Sequence, residues 1–591
     1  MYKYRIKLNH LVIILSSLIS ACASDPLPSV TLMAQTSAPM PIINSTPVIE
    51  PQLVFNTFGF TSTLYIDNQI AYDCTDYSPA IRRCGAGNEV AFHNINSSKK
   101  SAAAGVLFYI RGGQYKEALH VTRSGLVNAY LGYSAYGNET VTLLAANTLD
   151  RGEEYGAIWL DEVSYVLINA INVRDSIGFG RLLNAHYNVI SNSQFSQSTL
   201  WNEGRGKSKR GGLYIAFSHY NRIINNHFYK GTDSLSLIHA NHNLIAGNYM
   251  DLAGHDIWNI KCGSFNVIRN NEFSNKNQKI GALFDCESGT MSWHGNGKFA
   301  QSEAVVDSTQ YNLIEHNIFK DAVHYYSASG GNGIQYAAQH GIIRNNLFYR
   351  VNVGLGMTAY GQEAQYNYAN RVYNNTFNNN WCAGISISRP LNKMTDNEYR
   401  NNILWNNQGF GTAHCQENNS KQILLINRKN KGERFINNNI ASTTDKYVLG
   451  IWGRSLSDSI FAYSLRDGAV NFTDNIAIDP GFKDELINDY RLQSTSKMID
   501  VGSFLSSVIS KSGSGNLLQL ADVTYFYDGF AIPGEVGDSV RIEGTTETAV
   551  IVKIDYIQQS IILDKALTWQ QGDGIALSYN GTHPDIGALE Y

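Results

Sequence analysis

Short apolar runs recur along the middle of this chain in one form. An Asn or its substitute opens the unit, apolar side chains alternate with polar ones, and a second Asn stands at the sixth place, as in NLIAGNYM from Asn243 and NVIRNNEF from Asn266, 23 residues apart. Alternation of this kind predicts strands, and a period in this range predicts stacked coils. The sixth position is Ser193, then Asn226, Asn248, Asn271, Asn317, Asn346, Asn375, Asn402, Asn439 and Asn475. Asn tolerates left-handed backbone and bonds its own chain, and stacked amides bond to one another, so this series predicts a structural Asn ladder at one turn. The Ile and Val positions before it are expected to fill the bore. The fold class expected is all-β: a right-handed parallel β-helix, each coil contacting its neighbours, with a small appended β-rich unit near the C-terminus.

The flanks read differently. Residues 1–21 carry Lys3, Arg5 and Lys7 and then an apolar run, Leu11 to Ile19, too short to span a bilayer comfortably. They end in Leu-Ile-Ser-Ala before Cys22, which resembles the bacterial lipobox. That resemblance implies a signal peptide, lipidation of Cys22 and, with Ala at position 23, the outer membrane, on its cell-surface or periplasmic face. A secretory peptide cut elsewhere is the alternative. Residues 22–50, rich in Ser, Pro, Thr and Ala, form the expected tether. The β-helix is assigned to 51–505. Residues 106–143 resemble the first coils of bacterial β-helix proteins, and residues 477–503 their last coils. Residues 506–580 form the appended unit, expected to cap the last coil, with sugar binding through Tyr556 and Trp569 as the alternative; residues 581–591 are the expected closing strand.

Composition narrows the function. The charge balance is 46 Lys+Arg against 50 Asp+Glu, formally −4, with no basic run, so nucleic acid is excluded as a partner. A polysaccharide substrate and a monomeric state are expected. Once Cys22 is set aside, six cysteines fall in near pairs: Cys74 with Cys84, Cys262 with Cys286, and Cys382 with Cys415. The last two separations approach one coil, which brings the pairs within disulfide reach. Buried free thiols are the alternative, and no C-x-x-C pattern suggests a metal cluster.

The chemistry concentrates on HDIWNIKC, residues 255–262, the strand that combines His, Asp, Trp and Lys. Aligned coil on coil, His239, Lys261 and Asp285 are expected to stack in consecutive coils, with Phe217 before them. Tyr214, His255 and Trp258 are candidates to bind sugar. The long segment 287–309, with Trp293 and His294, is expected to cover a groove.

The stretch AGHDIWNIKCGSFNVIRNNEF, residues 253–273, resembles polysaccharide lyases of family six, the alginate lyases and chondroitin lyase B. The resemblance implies β-elimination on a uronic acid, with Lys261 as the catalytic base and Asp256 as one calcium-binding acid, calcium being the possible cofactor. A second calcium-binding acid of the family falls on Gly254, and its catalytic Arg has no counterpart in GALFDCESG, residues 281–289. His239 and Asp285 would flank the base. A surface ion pair between Lys261 and Asp285 is the plain alternative. Two other readings stay open: a glycoside hydrolase using Asp256, Asp285 and Glu287, and a non-catalytic glycan-binding lipoprotein.

Overall fold

In the computed structural model, each coil contributes three short strands to three parallel sheets. One coil runs Leu235–Ile238, Leu244–Ala246, Tyr249–Asp251, and the next runs Trp258–Lys261, Val267–Arg269, Glu272–Ser274. The structure describes residues 55–145, 149–150, 153–154, 156–199, 211–276, 278–284, 308–322, 331–358, 367–387, 394–407, 421–425, 432–444, 447–451, 454–460, 464–465 and 470–591. Pairing between coils is parallel and in register, for example Leu244 with Val267 and Tyr249 with Glu272. The fold is the expected right-handed parallel β-helix. Inward positions stack like with like. Phe319, Phe348 and Phe377 form one column, with centroids 4.5 and 4.7 Å apart, and Ile223, Ile245, Ile268, Ile314 and Ile343 another, each at most 2% exposed. Burial of such side chains, about 1.5–3 kcal/mol each, drives the stacking.

The ladder is present, with its two roles divided between neighbours. The residue before each ladder Asn takes the left-handed conformation, such as Asn225, Asn270, Asn345, Asn374 and Asn401. The ladder Asn itself supplies the bonds. The backbone N–H and the amide of Asn271 both donate to Oδ1 of Asn317, at 3.0 and 2.9 Å, and the amide also donates to the Ile245 carbonyl. Hence the repeated Asn-Asn pairs: one residue turns the chain and the next bonds across coils. In the coil of RFINNNIA the ladder residue is Asn438, which accepts from Asn402 and donates to Asn475, and not Asn439 as expected. The unit begins one residue earlier, at Glu433, so that Asn438 holds the sixth place.

A second ladder follows the first Asn of the motif, through Asn188, Asn221, Asn243, Asn266 and Asn312. Gly341 interrupts it. A Cβ there would lie 1.9 Å from the Tyr336 hydroxyl, which donates to Asn370 in place of the missing amide. At the far end Glu433 takes the Asn position, accepting from Asn397 and Tyr399. Burial pushes its carboxyl up to about 8 despite those two donors.

Antiparallel strands close the exposed edges. Cys74–Tyr77 pairs with Glu89–Phe92 at the N-terminal end, beside the Cys74–Cys84 disulfide, and Arg454–Leu456 and Ser464–Leu465 pair with the last strands. Cys262 and Cys382 are also disulfide-bonded; the expected partners Cys286 and Cys415 lie outside the described residues, as does Cys22.

The appended unit neither caps the last coil nor offers Tyr556 and Trp569 to sugar. Its antiparallel sheet lies on the flank, where Leu520, Phe526 and Ile551 share a core with Leu244, Val267, Leu313 and Tyr373 of the coils. Tyr556 packs on Tyr311 at 5.0 Å, and buried Trp569 donates to the Lys511 carbonyl. Arg344 fastens this contact. Its guanidinium donates to Glu315 at 2.8 Å, to the Tyr373 hydroxyl at 2.9 Å and to both oxygens of Asp538 at 2.7 and 2.5 Å. The coil exposes apolar side chains there, so the unit covers a flank that water would otherwise meet. The stretch expected as terminal coils instead forms a hairpin, Phe482–Asp484 with Asp489–Leu492, against Leu347, Tyr349 and Trp405. Residues 581–591 contain no strand; Ile586 and Ala588 pack on the same flank.

Candidate active site

The outward face of one sheet carries the candidate site. Along it Ala216, Ile238, Lys261, Phe284 and Ala337 are in register, and in the neighbouring row Tyr214, Ser236, Asn259, Ala282 and Gln335. This corrects the expected column. His239 lies one position beyond Lys261: its ring stacks on Phe217 with centroids 5.0 Å apart, and its N–H bonds the Lys261 carbonyl. The spacing to the ladder contained this information, since His239 precedes Asn243 by as many residues as Cys262 precedes Asn266. His239 is 3% exposed and belongs to the wall. Asp285, Glu287, Trp293 and His294 lie outside the described residues.

Trp258 is likewise corrected. Alternation turns it inward, 1% exposed, against Phe273, and a Cβ on Gly281 above it would meet the indole at 2.4 Å. It is core, and no sugar reaches it. Tyr214 does sit on the outward row, half-buried, two coils before Asn259.

Among the described residues, five charged side chains meet beside this row. His255 Nδ1 lies 3.0 Å from Asp233 Oδ1 and 3.2 Å from Asp256 Oδ1, and Lys279 Nζ stands 3.5 Å from the same Asp256 oxygen. Lys279 also donates to Gln335 at 2.9 Å. Lys261 and Lys279 flank the Phe284 ring, at 6.0 and 5.5 Å from its centroid. Asn259 donates to Asp233 Oδ2 and to Ser236 Oγ, both at 3.1 Å, which fixes its amide. Its own Oδ1 and both Asp256 oxygens are buried and, among the described residues, accept no hydrogen bond. Burial pushes the Asp256 carboxyl up, but Lys279, His255 and Lys261 outweigh it and hold the group down at about 2. Asp256, against the desolvation of the ring and with help from Asp233, raises His255 to about 9.

Asp233 and Lys279 escaped the reading of the sequence. Asp233 had a signal: it precedes Asn243 by ten residues, as Asp256 precedes Asn266. Lys279 had none, because it lies in the turn between Glu272–Ser274 and Gly281–Phe284, where loop length sets direction.

Calcium does not fit these residues. Asp233, His255 and Asp256 converge within 4.8 Å, yet calcium takes six to eight oxygens, and here Lys279 and a protonated His255 already stand at the carboxylate. In the hydrolase reading Asp256, held ionised, suits the nucleophile or base and not the general acid, and Asp285 and Glu287 lie outside the described residues.

No helix among the described residues is long and apolar enough to cross a membrane. Among curated proteins, none matches this chain in sequence. A family model described as periplasmic copper-binding protein (NosD) matches residues 202–399, less than half of the chain. Among solved structures, the pectate lyase Pel9A is similar over 90% of this chain and 98% of its own, at 14% identity and a TM-score of 0.37. A family PL6 polysaccharide lyase from Pseudopedobacter saltans is similar over 68% and 95%, at 13% identity and 0.37. The GH136 lacto-N-biosidase from Eubacterium ramulus is similar over 71% and 68%, at 10% identity and 0.37.

Proposed function

We propose that the protein cleaves a uronate-containing polysaccharide by β-elimination at the cluster around Lys261. One observation carries this reading: buried acceptors without donors, Asp256 and Asn259 Oδ1, stand beside the cations Lys261, Lys279 and His255. A uronate sugar brings the complement, hydroxyl donors for the acceptors and a carboxylate for an ammonium. In this reading Lys279 faces the sugar carboxylate, which lowers the barrier to removing the proton at carbon five. Lys261 takes that proton. A lysine base must act uncharged.

Incubation with uronate and neutral polysaccharides tests the proposal. Ultraviolet absorbance from an unsaturated uronate is expected, and Lys261→Ala is expected to lower that rate by about 10²–10⁴. Reducing ends without new absorbance would mean hydrolysis, and binding without product a glycan-binding protein. The leader and Cys22 further support anchoring in the outer membrane by lipid. Loss of membrane association in Cys22→Ala is the expected result, and unchanged fractionation refutes it.

A further inference from the structure

We propose that His255 is the proton donor to the departing glycosidic oxygen. The inference rests on the lyase reading above and supplies the acid that the sequence leaves unassigned. The geometry at the ring carries it. Nδ1 is clamped between Asp233 and Asp256, at 3.0 and 3.2 Å, on carboxylates that are only 2% and 1% exposed. Asp233, within hydrogen-bond distance of Nδ1, fixes a proton there, and the Asp256 carboxylate beside it adds its charge and helps to fix the plane of the ring. Two carboxylates at one nitrogen favour the imidazolium, so Nε2, on the opposite side of the ring, also carries a proton and is a donor directed away from the carboxylates. His255 is also the most exposed member of the clamp, its side chain 28% accessible where both aspartates are closed off. Lys261 and His255 both act on the one Asp256 carboxylate, which places base and acid about the same group.

The step balances. Lys261 takes the proton from carbon five as a neutral amine. The electron pair of that bond forms the double bond between carbons four and five, and the bond from carbon four to the glycosidic oxygen breaks. That oxygen takes the Nε2 proton. The ammonium and the neutral imidazole left behind exchange one proton with water to restore the starting state. Asp233 is a positioning residue here, since it touches the ring, whereas Asp256 both holds the ring and offers its oxygens to the sugar hydroxyls.

The test compares leaving groups. An alkoxide from a polymer needs a proton as it departs; a nitrophenoxide does not. His255→Gln and His255→Asn are assayed on the polyuronate that the wild type cleaves and on a methyl uronoside carrying a 4-nitrophenoxy group at carbon four. Both variants are expected to lose about 10²–10⁴ in kcat on the polymer and less than about threefold on the nitrophenoxy substrate. Circular dichroism on the same samples shows that they fold. Equal losses on the two substrates overturn the proposal and leave His255 as a structural link. A wild type that releases product from neither substrate overturns the lyase reading itself, and the acid role with it.

Discussion

Two buried charge clusters lie on different faces of neighbouring coils, and they are built differently. At the junction with the flank unit, Arg344, Glu315 and Asp538 are 3%, 6% and 6% exposed, and the guanidinium donates within 2.9 Å to each of three neighbours. Asp538 also accepts the Tyr527 N–H. At the candidate site the charges are as deeply placed, but the contacts to Asp256 are 3.2 and 3.5 Å, and among the described residues its oxygens accept no hydrogen bond. A carboxylate removed from water loses stability unless it is bonded. The first cluster meets that demand from within the chain and joins two parts of the molecule. The second leaves it unmet in one place, as a site does when its missing partners come with a ligand.

The largest expected effect comes from breaking the satisfied cluster. Arg344→Met leaves Glu315 and Asp538 buried without their cation, and is expected to cost about 3–5 kcal/mol in urea unfolding. A loss near zero would mean that the junction is held by its apolar contacts alone. The ladder comes next: Asn271→Leu removes bonds to two neighbouring coils and is expected to cost about 1–3 kcal/mol. It serves as the reference for a satisfied position without net charge.

The pH dependence separates the clusters further. His255 is raised to about 9 in the fold, above its ordinary value near 6.5. Its contribution to stability is therefore complete below about pH 6.5 and is lost as pH rises through about 9. The expected loss is about 1–2 kcal/mol, reduced from the full shift because the ring is partly solvated. His255→Asn should flatten that window, while Arg344→Met should leave it unchanged. The smallest stability effect is expected from Lys279→Met, about 1 kcal/mol or less, because Asp256 keeps His255 and Lys261. Activity on the uronate polymer should nonetheless fall at least about a hundredfold, from loss of the charge facing the substrate. A large stability loss with activity preserved would make the second cluster structural like the first.

Much of the coil was legible in the residues because it depends on local chemistry repeated in series. Alternation placed Ile245, Ile268 and Phe273 inside, and the Asn series marked the turn. The same rule, applied with care to register, would have turned Trp258 inward and moved His239 off the Lys261 column. The site was half legible. His255, Asp256 and Lys261 lie on one marked strand, whereas Asp233 joins them from the coil below and Lys279 from a turn without periodicity.

By itself, then, the sequence determined the solenoid, its bore and its ladder, since each coil needs only the pattern of its own strand and turn to stack on a like neighbour. Tertiary structure decided what lies across the coils and against their outer faces. An apolar outer face on the coils and the complementary face around Phe526 and Ile551 meet across roughly three hundred residues of chain, at a place that no local period encodes. The meeting of Lys279 with Asp256 was settled in the same way, by a turn whose course no period encodes.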